Sequence, residues 1–189
     1  MPLKKTVILA SKSPRRRQLL EAAGFTFEVV HLDIPEDYPA NLPANEVAPF
    51  LAQKKAAGAK AFLQKDKVLL CADSVVILEG KVYEKAADYQ EAYAMLSELS
   101  GKVHEVITGV CLKTPEREKV FAGHSLVHFS ELSHEEKDYY IRNYHPFDKA
   151  GSYGIQDWLG WCKVKKIEGS YSNIMGLPME LVYKEIDGM

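Results

Sequence analysis

The run Val68-Leu69-Leu70-Cys71-Ala72-Asp73-Ser74-Val75-Val76-Ile77-Leu78 is the most apolar in the chain. It is rich in β-branched residues and has no helical period, which predicts a buried central strand. One acid, Asp73, interrupts it. A carboxylate taken out of water without a partner is costly unless it is paired, neutralised or bound to a cation. Asp73 therefore marks a strand that opens onto a cleft, a structural hydrogen-bond hub or a functional site. Ser74 points to the opposite face unless the strand bulges there.

On the N-terminal side, residues 6–10 form a short apolar strand that runs through Ser11-Lys12-Ser13-Pro14 into a helix over 15–23. Ser13 suits the N-cap, Pro14 suits the first helical position, and Gly24 suits the left-handed residue past the end. A second strand is expected at 27–31, an exposed loop rich in Pro and acid at 33–43, and a helix over about 45–64 carrying Lys54 and Lys55. On the C-terminal side, Gly80 turns the chain into 81–83. Asp88 with Glu91 resembles a capping box that opens a helix burying Ala92, Met95, Leu96 and Leu99, and Gly101 stops it. Residues 103–112 and 120–129 read as an antiparallel pair, Ser133 with Glu136 as a second capped helix, 146–156 as a loop, 162–167 as a strand and 177–186 as a final helix. The pattern is α/β with a mixed sheet.

Composition sets the outer bounds. The 189 residues are 47% apolar and 26% charged, enough for a sizeable core in one domain spanning 1–189. No apolar run approaches the roughly 20 residues of a membrane-spanning helix. The start of the chain lacks the apolar stretch of a signal peptide, so a cytoplasmic location is expected. With 24 basic against 26 acidic side chains the net charge is −2, which argues against a broad nucleic-acid surface. Cys71, Cys111 and Cys162 are odd in number, widely spaced and set among apolar neighbours. They are expected to be buried thiols, neither a disulfide framework nor a metal knuckle. The six histidines have no zinc-site spacing.

Two further groups look chemical. Ser11, Ser13, Arg15, Arg16 and Arg17 sit at a strand-to-helix junction, where unpaired N–H groups and the positive dipole end favour a multiply charged phosphate. Three cations in a first helical turn oppose the dipole, and a bound anion would relieve the conflict; the bland alternative is a capped helix with solvated arginines. The loop Asp148-Lys149-Ala150-Gly151-Ser152-Tyr153-Gly154-Ile155-Gln156 allows close backbone approach, with Lys149 offering charge and Gln156 both a donor and an acceptor.

Together these segments resemble the Maf family of nucleoside triphosphate pyrophosphatases, and the resemblance covers nearly the whole chain. It is carried by Leu9-Ala10-Ser11-Lys12-Ser13-Pro14-Arg15-Arg16, by Ala72-Asp73-Ser74-Val75-Val76, and by Leu99-Ser100-Gly101 with His104 and Thr108-Gly109-Val110. Residues 148–156, Ile167-Glu168-Gly169-Ser170-Tyr171 and Gly176-Leu177-Pro178 continue it. The resemblance implies an elongated mixed β-sheet flanked by helices, in two lobes around a central cleft, similar to that of inosine triphosphate pyrophosphatases. It implies hydrolysis of a nucleoside triphosphate to the monophosphate and pyrophosphate with a divalent cation, Mg²⁺ or Mn²⁺. Ser11, Arg15 and Arg16 would then hold phosphates, with Ser74 and Lys149 also at the substrate. Lys55 and Lys85 would stabilise charge on the departing pyrophosphate. Asp73 would be the base that takes a proton from water, or would orient that water through a metal shared with Glu36.

Members with Gln at the position of Gln156 are similar to the dTTP/UTP-hydrolysing branch, whereas the 7-methyl-GTP branch tends to carry Glu. Thymine and uracil present a carbonyl acceptor beside an N–H donor, and one amide pairs with both. Two residues depart from the family pattern. Ser74 stands where many relatives have Thr, and Ala86 stands where Pro is usual, leaving the loop that aims Lys85 less constrained. A nucleotide-binding regulator of cell division without turnover is the rival reading, and an RNA-binding module using Arg15 to Arg17 is disfavoured by the charge and the scattered tyrosines. Relatives are often dimers, which leaves a homodimer open.

Overall fold

The computed structural model describes residues 5–189; residues 1–4, which the single-domain reading includes, lie outside the described residues. The strands are β1 (Thr6–Ala10), β2 (Phe27–Val30), β3 (Lys67–Leu78), β4 (Lys81–Tyr83), β5 (Val103–Lys113), β6 (Glu118–Phe129) and β7 (Val164–Glu168). The helices are α1 (Pro14–Ala22), α2 (Ala44–Gly58), α3 (Tyr89–Leu99), α4 (His134–Tyr144), α5 (Trp158–Lys163), α6 (Tyr171–Met175) and α7 (Met179–Ile186). The sheet order is β2-β1-β3-β5-β6-β7, with β4 paired to β3. β1 runs parallel to β2 and β3, with Val7 opposite Phe27 and Val68. β4 is antiparallel to β3, and β7 to β6. This is the mixed α/β sheet that the sequence predicts.

The chain divides into two compact units and passes from the first to the second between Asp73 and Ser74. The first unit holds the chain up to Asp73 together with Thr108–Gly123 and Gly176–Met189. Its core alternates residue by residue along the strands. Val7, Leu9, Val68, Leu70 and Ala72 pack with Leu20 of α1 and Val182 and Ile186 of α7, while Ile8, Ala10, Leu69 and Cys71 pack with Ala52 and Ala56 of α2. A strand buried on both faces reads as one continuous apolar run, which is why the 68–78 stretch shows no alternation in sequence. The second unit, Ser74–Ile107 with His124–Met175, closes around Val76, Leu78, Leu96, Leu99, Phe129, Tyr140 and Leu159.

Several local expectations hold. All four residues expected to face inward from α3 are buried. Ser133 and Glu136 form the reciprocal capping box at α4, and Asp88 caps α3 by accepting from the Glu91 amide at 2.9 Å. Others are corrected. Ser13 occupies the N-cap of α1 but makes no side-chain cap bond. The expected helix over 45–64 ends at Gly58 and continues as a separate 3₁₀ turn, Lys60–Phe62. Cys162 lies in α5, which buried Leu159 anchors after the N-cap Asp157, so β7 starts only at Val164. Cys162 is exposed, against the expectation of three buried thiols; Cys71 and Cys111 are buried. α6 was not foreseen, because five residues are too few to show a helical period. Among the described residues no helix is long and apolar enough to cross a membrane.

Candidate active site

Parity along β3 places Asp73 with Leu69 and Cys71, on the face that α2 covers. On α2, Lys55 sits three residues after buried Ala52, in the stripe that Ala56 and Ala59 continue. A strand acid and a helix lysine are thereby brought together inside one unit. The Lys55 Nζ bonds Asp73 Oδ1 and also donates to Glu36 Oε1 at 2.7 Å. The Lys55 and Asp73 side chains are only 15% and 11% exposed. Glu36 belongs to the acidic loop after β2. That loop is tied to α2 a second time by Lys54, which donates to Asp37 Oδ1 at 2.7 Å and to the Asp37 carbonyl at 2.9 Å. Lys54 holds the Asp37 carboxyl below its ordinary range.

α2 comes close enough for this because β5 offers no side chain at Gly109. A Cβ built there would lie 2.3 Å from both Ala48 C and Pro49 N. Backbone thus packs on backbone, and the position of Lys55 depends on it.

At the start of α1 the hydroxyl that organises the turn is Ser11, not Ser13. Its Oγ accepts from the Ser13 amide at 3.1 Å and from Arg16 Nη1 at 3.3 Å. Arg16 also donates through Nη1 to the Ala72 carbonyl and through Nε to the Gly176 carbonyl, each at 2.9 Å. One guanidinium therefore ties the α1 start to the residue before Asp73 and to the turn before α7. Burial pushes the Arg16 pKa down, the charges of Asp73 and Glu36 oppose that shift, and Arg15 adds to it. Arg15, Glu36 and Asp73 consequently all lie within electrostatic reach of Arg16. Arg17 turns outward and pairs with Glu21 at 2.8 Å along the helix.

The second unit assembles the remaining candidates. Lys85 forms a β-bridge with Ala150, and the Gly151 amide donates to the Glu84 carbonyl at 3.0 Å, so main-chain bonds hold this segment in place. Gly151 has φ +66° and stands against Val76, whose Cγ2 would be 2.9 Å from a Cβ there. The glycine in this loop is required by both conformation and space. Lys149 is largely buried and lies 2.8 Å from Asp148 Oδ1 and 3.7 Å from Asp157 Oδ2. Gln156 follows, with its Oε1 buried and accepting no hydrogen bond. An amide oxygen stranded in this way loses its water without compensation, and a ligand donor would restore what is lost. Ser74, the first residue of this unit, is partly exposed.

Two residues here were not singled out from the sequence. Tyr140, fully buried on α4, donates from its hydroxyl to Asp157 Oδ2 at 2.8 Å and accepts from the Gly154 amide at 2.9 Å. Asp157 adjoins a motif already noted, but Tyr140 resembles any core aromatic, and only its hydroxyl contacts distinguish it.

Among the described residues no three His, Cys, Asp or Glu side chains converge as a metal cage. Glu36 and Asp73 do converge, on a single ammonium. An oxygen donor set of two carboxylates fits Mg²⁺ or Mn²⁺ when phosphate oxygens and water complete the coordination.

Comparison with known proteins adds to this geometry. The family model described as "Maf-like protein" matches residues 6–189. A protein of Porphyromonas gingivalis named dTTP/UTP pyrophosphatase is 45% identical over 183 residues, which is 95% of this chain and 92% of that protein. One of Phocaeicola vulgatus with the same name is 48% identical over 181 residues, covering 95% and 94%. A solved structure, that of the Staphylococcus aureus Ham1 protein, matches at 15% identity with a TM-score of 0.46 over 67% of this chain and 72% of that one, too distant to add weight.

Proposed function

The chain belongs to the Maf-like protein family, and from that premise we propose that it is a dTTP/UTP pyrophosphatase, releasing pyrophosphate and leaving the nucleoside monophosphate. The observation that carries the reading is the Lys55 ammonium shared by Asp73 and Glu36, with Arg16 bonded to the residue before Asp73. This unit holds acid and cations side by side, as charge transfer at a phosphate requires.

Each residue has a task. Ser11 and Arg15, at the α1 start, receive phosphate oxygens together with the helix amides. Arg16 supports them with its charge while its donors fix the main chain. Asp73 takes a proton from water as the water oxygen bonds the α-phosphorus; the bond from that phosphorus to the bridging oxygen breaks, and the electron pair leaves with pyrophosphate. Lys55 and Lys85 meet the negative charge that develops on the leaving group. Glu36 and Asp73 would hold the divalent cation, which when bound supplies Lewis-acid neutralisation of the polyphosphate. Gln156 pairs with the base: its buried Oε1 accepts from the N3–H of uracil or thymine, and its amide N–H donates to the adjoining carbonyl. Lys149 and Ser74 complete the substrate contacts. The enzyme belongs in the cytoplasm, where such nucleotides are held.

The test is pyrophosphate release by purified protein from each nucleoside triphosphate with Mg²⁺ or Mn²⁺. Release from dTTP and UTP is expected, with a loss of at least ~10²-fold in turnover for Asp73→Asn. Binding without release would favour the regulator, and full activity of the variant would remove Asp73 from the chemistry.

A further inference from the structure

Asp157 follows Gln156 in the chain, accepts from the Tyr140 hydroxyl and lies 3.7 Å from the Lys149 ammonium, and neither Asp157 nor Tyr140 has a task assigned above. A Cβ built on Gly154 would lie 2.5 Å from Asp157 Oδ2 and 3.0 Å from Gln156 Nε2. The carboxylate and the nitrogen end of the amide therefore approach one point, which is open only because residue 154 has no side chain. The opposite end of the amide, Oε1, is buried and accepts no hydrogen bond. The carboxylate is itself held in place by the Tyr140 hydroxyl. Burial, reinforced by the Asp157 charge, pushes the Tyr140 pKa up, so the phenol keeps its proton and donates.

We propose that Asp157, held by Tyr140, is a positioning residue that fixes which end of the Gln156 amide meets the substrate and so selects uracil and thymine over cytosine. The proposal rests on the pyrophosphatase reading and deepens it. An amide has two ends of similar shape and opposite polarity. Beside a carboxylate its NH₂ end is attracted and its oxygen repelled, so turning it over would set oxygen against oxygen in a poorly hydrated place. With the amide held this way, Oε1 is the atom offered to the base. Uracil and thymine answer with N3–H. Cytosine carries a lone pair at N3 and an amino group beside it, the reverse pattern, which would suit the turned-over amide. A site built to pair a donor rejects a base lacking it, because its own acceptor is left bare.

The experiment measures kcat/KM for UTP and CTP in the wild type, Asp157→Asn, Asp157→Glu and Tyr140→Phe, with circular dichroism and urea midpoints to confirm folding. Asp157→Asn removes the charge that orders the amide, and the UTP preference should fall by at least ~10-fold, through a higher KM for UTP and a lower one for CTP. Tyr140→Phe frees the carboxylate and should lower the preference in the same direction by less, while Asp157→Glu should retain most of it. A folded Asp157→Asn protein with unchanged preference, or with UTP and CTP losing equally, overturns the proposal; if that variant does not fold, an unchanged preference in Tyr140→Phe overturns it. Wild-type protein that releases no pyrophosphate from UTP would instead sink the pyrophosphatase reading.

Discussion

Replacing Lys55 with Met keeps most of the side-chain stem and deletes the charge that Asp73 and Glu36 share. The two residues fare differently afterwards. Glu36 has a side chain 44% exposed and returns to water, whereas Asp73, at 11%, is left without its ammonium between β3 and α2. Breaking a buried pair from one side costs about 3–5 kcal/mol. At about 2–4 °C per kcal/mol for a chain of this size, the melting temperature should fall by roughly 6–20 °C. Asp73→Asn is milder, about 1–2 kcal/mol, since Lys55 keeps Glu36. In the double variant no charge is stranded, so the loss should again be about 1–2 kcal/mol, giving a coupling of about 3–5 kcal/mol between the sites. Urea unfolding of all four proteins at neutral pH, with equal slopes, measures this directly. The double variant should be about as stable as Asp73→Asn, and more stable than the Lys55 variant alone, yet release no pyrophosphate. Additive single effects, with coupling below ~0.5 kcal/mol, would refute the claim that the two side chains form one desolvated unit.

Two further outcomes follow from the packing. Gly109→Ala forces a methyl group against the α2 backbone at Ala48 and Pro49, and should cost about 1–3 kcal/mol in urea unfolding together with a loss of turnover through displaced Lys55; a neutral result would show that α2 shifts without consequence. His104 is buried beside Phe129 and bonded to Tyr153, and burial, with a smaller contribution from His128, lowers its pKa to about 4. The unfolded chain takes up this proton near pH 6.5 and the folded chain only near 4, so stability is full above about 6.5 and is lost as pH falls through that window, by about 3 kcal/mol. His104→Gln, which keeps a polar partner for Tyr153 and does not titrate, should flatten urea midpoints between pH 7 and 4.5; an unchanged slope would assign the acid sensitivity elsewhere.

Much of this was legible in the chain itself. Asp73 stands out because an acid in a β-branched run is physically anomalous, and three arginines in a first helical turn oppose the dipole there. Lys55 carries a weaker signal: it falls in a helical stripe otherwise made of alanines. Arg16 was legible as a cation but not as the brace it proves to be, because its partners are carbonyls of Ala72 and Gly176, far away in sequence. Cys162 misled because a six-residue helix and a strand meet beside it, and its apolar neighbours resemble a strand face.

Local pattern in the chain set the types of the longer elements and the chemical inventory, but not the short helices α5 and α6. Side-chain branching, capping residues and the polarity of single positions act over a few residues, and those interactions can be read in order along the chain. The pairings came from the fold: which carboxylate Lys55 meets, which loop Lys54 ties down, and that Tyr140 steadies Asp157 beside Gln156. The physical reason is range. Hydrogen bonds and close contacts form over a few ångströms between residues that chain order separates, and the fold sets those distances.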